Sequence, residues 1–174
     1  VPLDVALVQL SPPDKHGNCT LGTSVDCAKA ACESASILLA EINERMPRTH
    51  GNTVVPLSRI KAYTLTDRPL HEAIPEPATA VEDRIGELIS ELVEDGATLQ
   101  MGVGAIPNAV LARLGNKHHL GVHTEMFSDG LIPLIEGGVV TNRCKEVHRG
   151  RTVTSVVAGS SKLYECVHPN LLVE

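Results

Sequence analysis

Residues 97–125 read ATLQMGVGAIPNAVLARLGNKHHLGVHTE. Two short apolar runs, ATLQMG (97–102) and LGVHT (120–124), have the length and composition of strands. Between them lie a glycine-rich turn, GVGAIP, and a stretch, PNAVLARLG (107–115), whose spacing predicts a short helix with Pro107 near its first turn. Strand, helix and strand in this order predict parallel neighbours in an α/β sheet. The turn then follows the carboxyl end of the first strand, and Glu125 follows that of the second. Open α/β sheets bind their ligands at those ends. Gly102 and Gly104 permit a tight turn and close approach of the backbone to a ligand. The helix after them offers unpaired N–H groups to a negative or developing oxyanion centre.

Other readings of the same residues stay open. Glu125 precedes Ser128, Asp129 and Gly130, so it could simply support a helix start capped by Ser128. GVGAIP is not a full GxGxxG, because position 107 is proline, and a dinucleotide fingerprint is a weak reading. His119, His123 and Glu125 match no known metal-ligand spacing, so no metal site is expected. Arg143, Lys145, His148, Arg149 and Arg151 read as a solvated basic turn before they read as a phosphate site.

Working outward, the chain alternates strand and helix patterns. DVALVQL (4–10) and SILLAEI (36–42) read as buried strands, separated by a loop and by a helix over TSVDCAKAACESA that Thr23 could cap. AYTLT (62–66) predicts a further short strand. Residues 67–80, DRPLHEAIPEPATA, hold three prolines and read as a linker. The next stretch, AVEDRIGELISELVEDG, places Val81, Ile85, Leu88, Ile89 and Leu92 on one helical face, with Gly96 as its end. Beyond Glu125 the pattern predicts a helix at about 129–136, a strand at VVTN, a strand at TVTSVVAG (152–159) and a last helix from Ser160. The expected organisation is residues 1–68 as one α/β piece, 69–80 as linker and 81–174 as a second.

The 174 residues are 43% hydrophobic but only 2% aromatic, so aliphatic side chains must fill the core. That scarcity and a net charge of −6 argue against a nucleic-acid surface. No apolar run is of membrane-spanning length. Five cysteines with no CxxC pair predict free thiols and a reducing compartment, either cytoplasm or mitochondrial matrix.

The strings SPPDKHGNCTLGTSVD, AEINERMPRTHG, DGATLQMGVGAIPNAVL and GVHTEMFSDGLIPLIEGGVVTN together resemble the acetyl-CoA hydrolase/transferase family. These are family I CoA-transferases, and the resemblance runs in order over essentially the whole chain. It implies parts of two CoA-transferase-type (NagB/RpiA-like) domains with mainly parallel sheets and an active site between them. It implies that Glu125 is the nucleophile, that the turn Gly102, Gly104, Ala105, Ile106 and Pro107 helps bind the acyl or CoA portion, and that no metal is used. The loops around Ser11–Gly17 and around Met46, Arg48 and His50 resemble those that approach the site from the first domain. Coenzyme A would be a substrate, not a tightly bound cofactor, with small carboxylates as partners; homo-oligomers are common in the family. The implied reaction is CoA transfer through a glutamyl-CoA thioester, with acyl-CoA hydrolysis as the alternative. A noncatalytic binding or assembly module is the reading from another class. Family members are longer and carry a GxGGQ-type segment absent here, so the chain is expected to be a central fragment.

Overall fold

A computed structural model describes residues 2–74 and 76–174. The chain forms two compact units: residues 1–71 with 164–174, and residues 72–163. The boundary between the first two stretches falls within the proline-rich segment. The fold class is α/β with mainly parallel sheets.

In the first unit, β1 (Leu3–Leu10), β3 (Ala35–Asn43) and β5 (Ala62–Thr66) make a parallel sheet in the order β1-β3-β5. Leu10 lies opposite Ile42, and Ile42 opposite Leu65. The helix α1 (Asp26–Ser34) covers one face, and Leu10, Cys32, Leu38 and Ile42 form the core beneath it. The other face is open: Leu7 is 77% exposed and Leu65 71%. These strands are therefore buried on one side only. Thr23 does not cap α1, which starts at Asp26 with Val25 at the N-cap. The Asp26 carboxylate accepts from the N–H of Ala28 instead, while the Thr23 hydroxyl contacts the Met46 sulfur at 3.8 Å. A short antiparallel pair, β2 (Asn18–Thr20) with β4 (Val54–Pro56), adds to the predicted elements.

In the second unit, β6 (Thr98–Leu99), β7 (Gly121–Phe127) and β8 (Val153–Val157) form a parallel sheet with β7 in the middle. The helix α2 (Ala80–Leu92) opens with a capping box, Thr79 accepting from the Glu82 N–H and the Glu82 carboxylate accepting from the Thr79 N–H. It packs on α3 (Ala105–Leu111) through Gly86 and Ser90, its buried residues. The predicted apolar face is not the packed one, since Val81 is 70% exposed and Leu92 80%. Gly96 does not end α2 either. It sits at φ 77° in the turn that follows, where its N–H donates to the His118 carbonyl.

The first strand shrinks from the expected 97–102 to two residues, and the helix after it starts two residues earlier. VVTN forms no strand. Leu120 and Val140 share one isolated bridge, while the N–H groups of Val139 and Val140 both donate to the carbonyl of Leu134 within α4 (Ile132–Glu136). Asn142 then turns the chain at φ 56°. The last helix, α5 (Ser161–Val167), begins in this unit and passes into the first at Tyr164. No helix among the described residues is long and apolar enough to cross a membrane.

Candidate active site

Glu125 lies inside β7, not beyond its end as the sequence suggested, and two more strand residues follow it. Side chains alternate across a strand, and in β7 His123 and Glu125 are exposed while Val122 and Thr124 are buried. The central strand thus presents the Glu125 carboxylate to solvent close to its carboxyl end. Its backbone carbonyl accepts from the hydroxyls of Thr154 (3.0 Å) and Ser155 (3.3 Å) on β8. Glu125 does not support a helix start. Ser128 occupies the N-cap position of a single 3-10 turn, but its hydroxyl makes no capping bond.

The glycine turn is tied to this strand by Thr124, a residue that sequence reasoning did not single out. The Thr124 hydroxyl accepts from the Met101 N–H at 2.8 Å and lies 2.8 Å from the Met101 carbonyl as donor. It takes over where the β6 ladder stops at Leu99–Val122. Gly104, at φ 134°, has a backbone that only glycine adopts easily. Gly102 has no such need: a Cβ there would meet Pro107 at 3.8 Å, an ordinary contact. Gly102, Gly104 and Ile106 are exposed, and Ala105 and Pro107 half-buried.

The basic turn proves to be mixed. Arg143, His148, Arg149 and Arg151 are exposed, but Lys145 is 3% exposed. Its ammonium donates to the carbonyls of Val122 (2.8 Å) and Arg151 (2.7 Å), and Asn142 Oδ1 accepts from the Val122 N–H at 2.8 Å. Both backbone groups of Val122 are therefore satisfied by side chains from this loop. The His123 ring meets His148 edge-on at 5.8 Å. Desolvation, the Lys145 charge and His148 together hold the His123 imidazole below its ordinary value of 6.5. Among the described residues no three His, Cys, Asp or Glu side chains converge as a metal site would require.

In the first unit, Arg48 is not a solvated loop residue. Its guanidinium pairs with Asp14 at 2.8 Å and donates to the Asn18 carbonyl at 2.9 Å, joining the 11–17 and 46–50 loops. Asp14 in turn accepts from the N–H groups of Asn18 and His16, both at 2.9 Å. Met46 is buried over Gly22, where a Cβ would meet its sulfur at 2.1 Å. His50 keeps a buried Nε2 without a partner.

Residues 1–76 match the model of the acetyl-CoA hydrolase/transferase N-terminal domain. The whole chain is 47% identical to a succinyl-CoA:acetate/propanoyl-CoA:succinate CoA transferase of Fasciola hepatica, covering 37% of that protein. It is also 47% identical, over its full length, to a 4-hydroxybutyrate coenzyme A transferase of Clostridium kluyveri, covering 41% of it. The crystal structure of a 4-hydroxybutyrate CoA-transferase from Porphyromonas gingivalis superposes with a TM-score of 0.95 at 41% identity, over 99% of this chain and 44% of that one. The chain therefore spans about two-fifths of the length of these relatives, within a CoA-transferase domain fold. It belongs to the acetyl-CoA hydrolase/transferase family.

Proposed function

We propose that the protein carrying this chain is an acyl-CoA:carboxylate CoA-transferase that works through a covalent adduct on Glu125. The observation that carries this reading is the exposed carboxylate of Glu125 on the middle strand, beside a glycine turn that Thr124 fastens to the same strand. The relatives named above, all CoA-transferases, support the reaction class.

A carboxylate is an anion at neutral pH and attacks without a general base. One Glu125 oxygen would add to the thioester carbonyl of an acyl-CoA; collapse of the tetrahedral species breaks the C–S bond. The products are an acyl-glutamyl anhydride and the CoA thiolate. The thiolate then attacks the glutamyl carbonyl, releasing the first carboxylate and leaving a glutamyl-CoA thioester. An incoming carboxylate runs the two steps in reverse and departs as the new acyl-CoA. Each tetrahedral oxyanion calls for N–H donors, and the exposed backbone of the Gly102–Pro107 turn is a source of them. Both intermediates are open to hydrolysis, so transfer over hydrolysis requires that water be excluded once substrate is seated.

The test is intact-mass analysis of the full-length protein incubated with acetyl-CoA and quenched, alongside Glu125→Gln. A CoA-sized adduct that maps to Glu125 and is missing from the variant is expected. Consumption of acetyl-CoA with no adduct would instead support direct hydrolysis and remove Glu125 from the role of nucleophile.

A further inference from the structure

The register of the second sheet decides which side chains stand beside Glu125. β7 and β8 pair as His123–Val153, Thr124–Thr154 and Met126–Val156, which sets Ser155 directly opposite Glu125. Paired residues of neighbouring strands point to the same face of a sheet, so Ser155 shares the exposed face with the Glu125 carboxylate. Thr154, opposite the buried Thr124, points to the other face. On the β6 side, the Thr98–Gly121 and Leu99–Val122 register, continued by the Thr124 hydroxyl at Met101, sets Gly102 opposite Glu125. Gly102 has no side chain to offer. His123, the preceding residue on this face of β7, has its ring against His148. Ser155 is thus the hydroxyl that flanks the carboxylate.

The bond this hydroxyl makes in the structure is a weak one. It reaches the Glu125 backbone carbonyl at 3.3 Å, beyond the usual range of about 2.5–3.0 Å for a hydroxyl donor. Thr154 approaches the same carbonyl more closely, at 3.0 Å. That carbonyl keeps its nearer donor when the Ser155 hydroxyl rotates away, and a carboxylate is the stronger acceptor. Among the described residues, no hydrogen bond or ion pair is made by the Glu125 carboxylate.

In the transfer chemistry one Glu125 oxygen attacks, while the other stays on the glutamyl carbon throughout. When the CoA thiolate adds to the glutamyl carbonyl, the C=O electron pair moves onto that second oxygen and makes it the oxyanion. Collapse restores the C=O, and the first oxygen leaves with the departing carboxylate. The earlier oxyanion is different, because it sits on the acyl carbon of the substrate. A donor for the later one has to stand beside Glu125 itself. We propose that Ser155 is a further catalytic residue, its hydroxyl donating to the Glu125 oxygen that becomes the second oxyanion. This rests on the transferase reading.

The test follows the Glu125 adduct in time on the full-length protein, by quenched intact-mass analysis, in wild type, Ser155→Ala, Ser155→Thr and Thr154→Val. Saturating acetyl-CoA loads the enzyme, and acetate then discharges it. Both reactions pass through the second oxyanion, so Ser155→Ala should slow both about ten- to a hundredfold. The half-saturating concentrations should stay unchanged. Ser155→Thr keeps a hydroxyl and should recover most of the rate. Thr154→Val removes the closer donor to the backbone carbonyl; it should lower the melting temperature yet leave both reactions far faster than in Ser155→Ala. Equal rates in Ser155→Ala and wild type overturn the proposal. So does a Thr154→Val variant slowed as much as Ser155→Ala, which would assign the effect to the carbonyl. Either result leaves the transferase reading in place. An absence of adduct on wild type removes that reading, and the role of Ser155 with it.

Discussion

The Thr124 hydroxyl sits 2.8 Å from both the N–H and the carbonyl of Met101, one residue away from Glu125 on one side and from the glycine turn on the other. A side chain here continues a strand pairing that the backbone ends at Leu99, so one hydroxyl ties the turn to the strand that carries Glu125. Thr124→Val keeps the shape and removes the hydroxyl, leaving both Met101 groups without their partner. Urea unfolding of the full-length protein should show a loss of about 1–3 kcal/mol, with CoA exchange reduced as well. Equal stability of the variant and wild type would mean that the turn holds itself.

Much of the sheet was legible because its strands carry dense Leu, Ile and Val in short runs. AYTLT was matched residue for residue, and the runs at 4–10 and 36–42 within one residue at each end. The pair β2–β4 was not legible: three-residue strands give no alternation to read, and their register comes from contacts distant in sequence. The extent of β7 was misjudged because Glu125 breaks the apolar run, although an exposed strand position tolerates a charge. The α2 stripe misled for a related reason. The helix uses its smallest side chains for contact, and hydrophobic periodicity is blind to packing through glycine. Lys145 was hidden too, because a lysine in a charged turn reads as solvated until two carbonyls are seen to hold it.

Packing through Gly86 makes a prediction in which two effects oppose each other. Alanine is the better helix former by about 0.8–1.0 kcal/mol. A Cβ at position 86, however, would lie 2.7 Å from both the carbonyl carbon and the Cβ of Ala109 and 2.9 Å from its carbonyl oxygen. Backbone cannot step aside as a flexible side chain can, so overpacking at about 1–3 kcal/mol should win. Gly86→Ala should lower the melting temperature of the full-length protein. A rise would show that α2 and α3 separate readily.

Asp14 predicts an acid response confined to one window. The N–H of Asn18, then that of His16 and the Arg48 guanidinium, hold its carboxyl below the ordinary 3.8. A carboxylate whose folded value is depressed stabilises the fold above the unfolded value, and the benefit is lost as pH falls through the folded one. Asp14→Asn keeps an acceptor but no charge. Its melting temperature should trail wild type at pH 6, with the gap closing only below about pH 4. A gap of constant size down to pH 2.5 would assign the effect to hydrogen-bond geometry instead of charge.

Lys145 links the stability of β7 to the protonation of His123. Replacing it with methionine keeps most of the buried stem but leaves the Val122 and Arg151 carbonyls without the ammonium, a loss of about 2–3 kcal/mol for charged hydrogen bonds. The same change deletes one of the charges that depress His123, so the imidazole should titrate closer to 6.5 in Lys145→Met than in wild type. Proton NMR of the His123 ring across pH 4–8 reads that shift directly, and denaturant unfolding reads the first effect. A His123 titration that stays put while stability drops would assign the depression to desolvation and His148. A titration that rises with stability unchanged would mean that the two carbonyls find water as readily as they found the lysine.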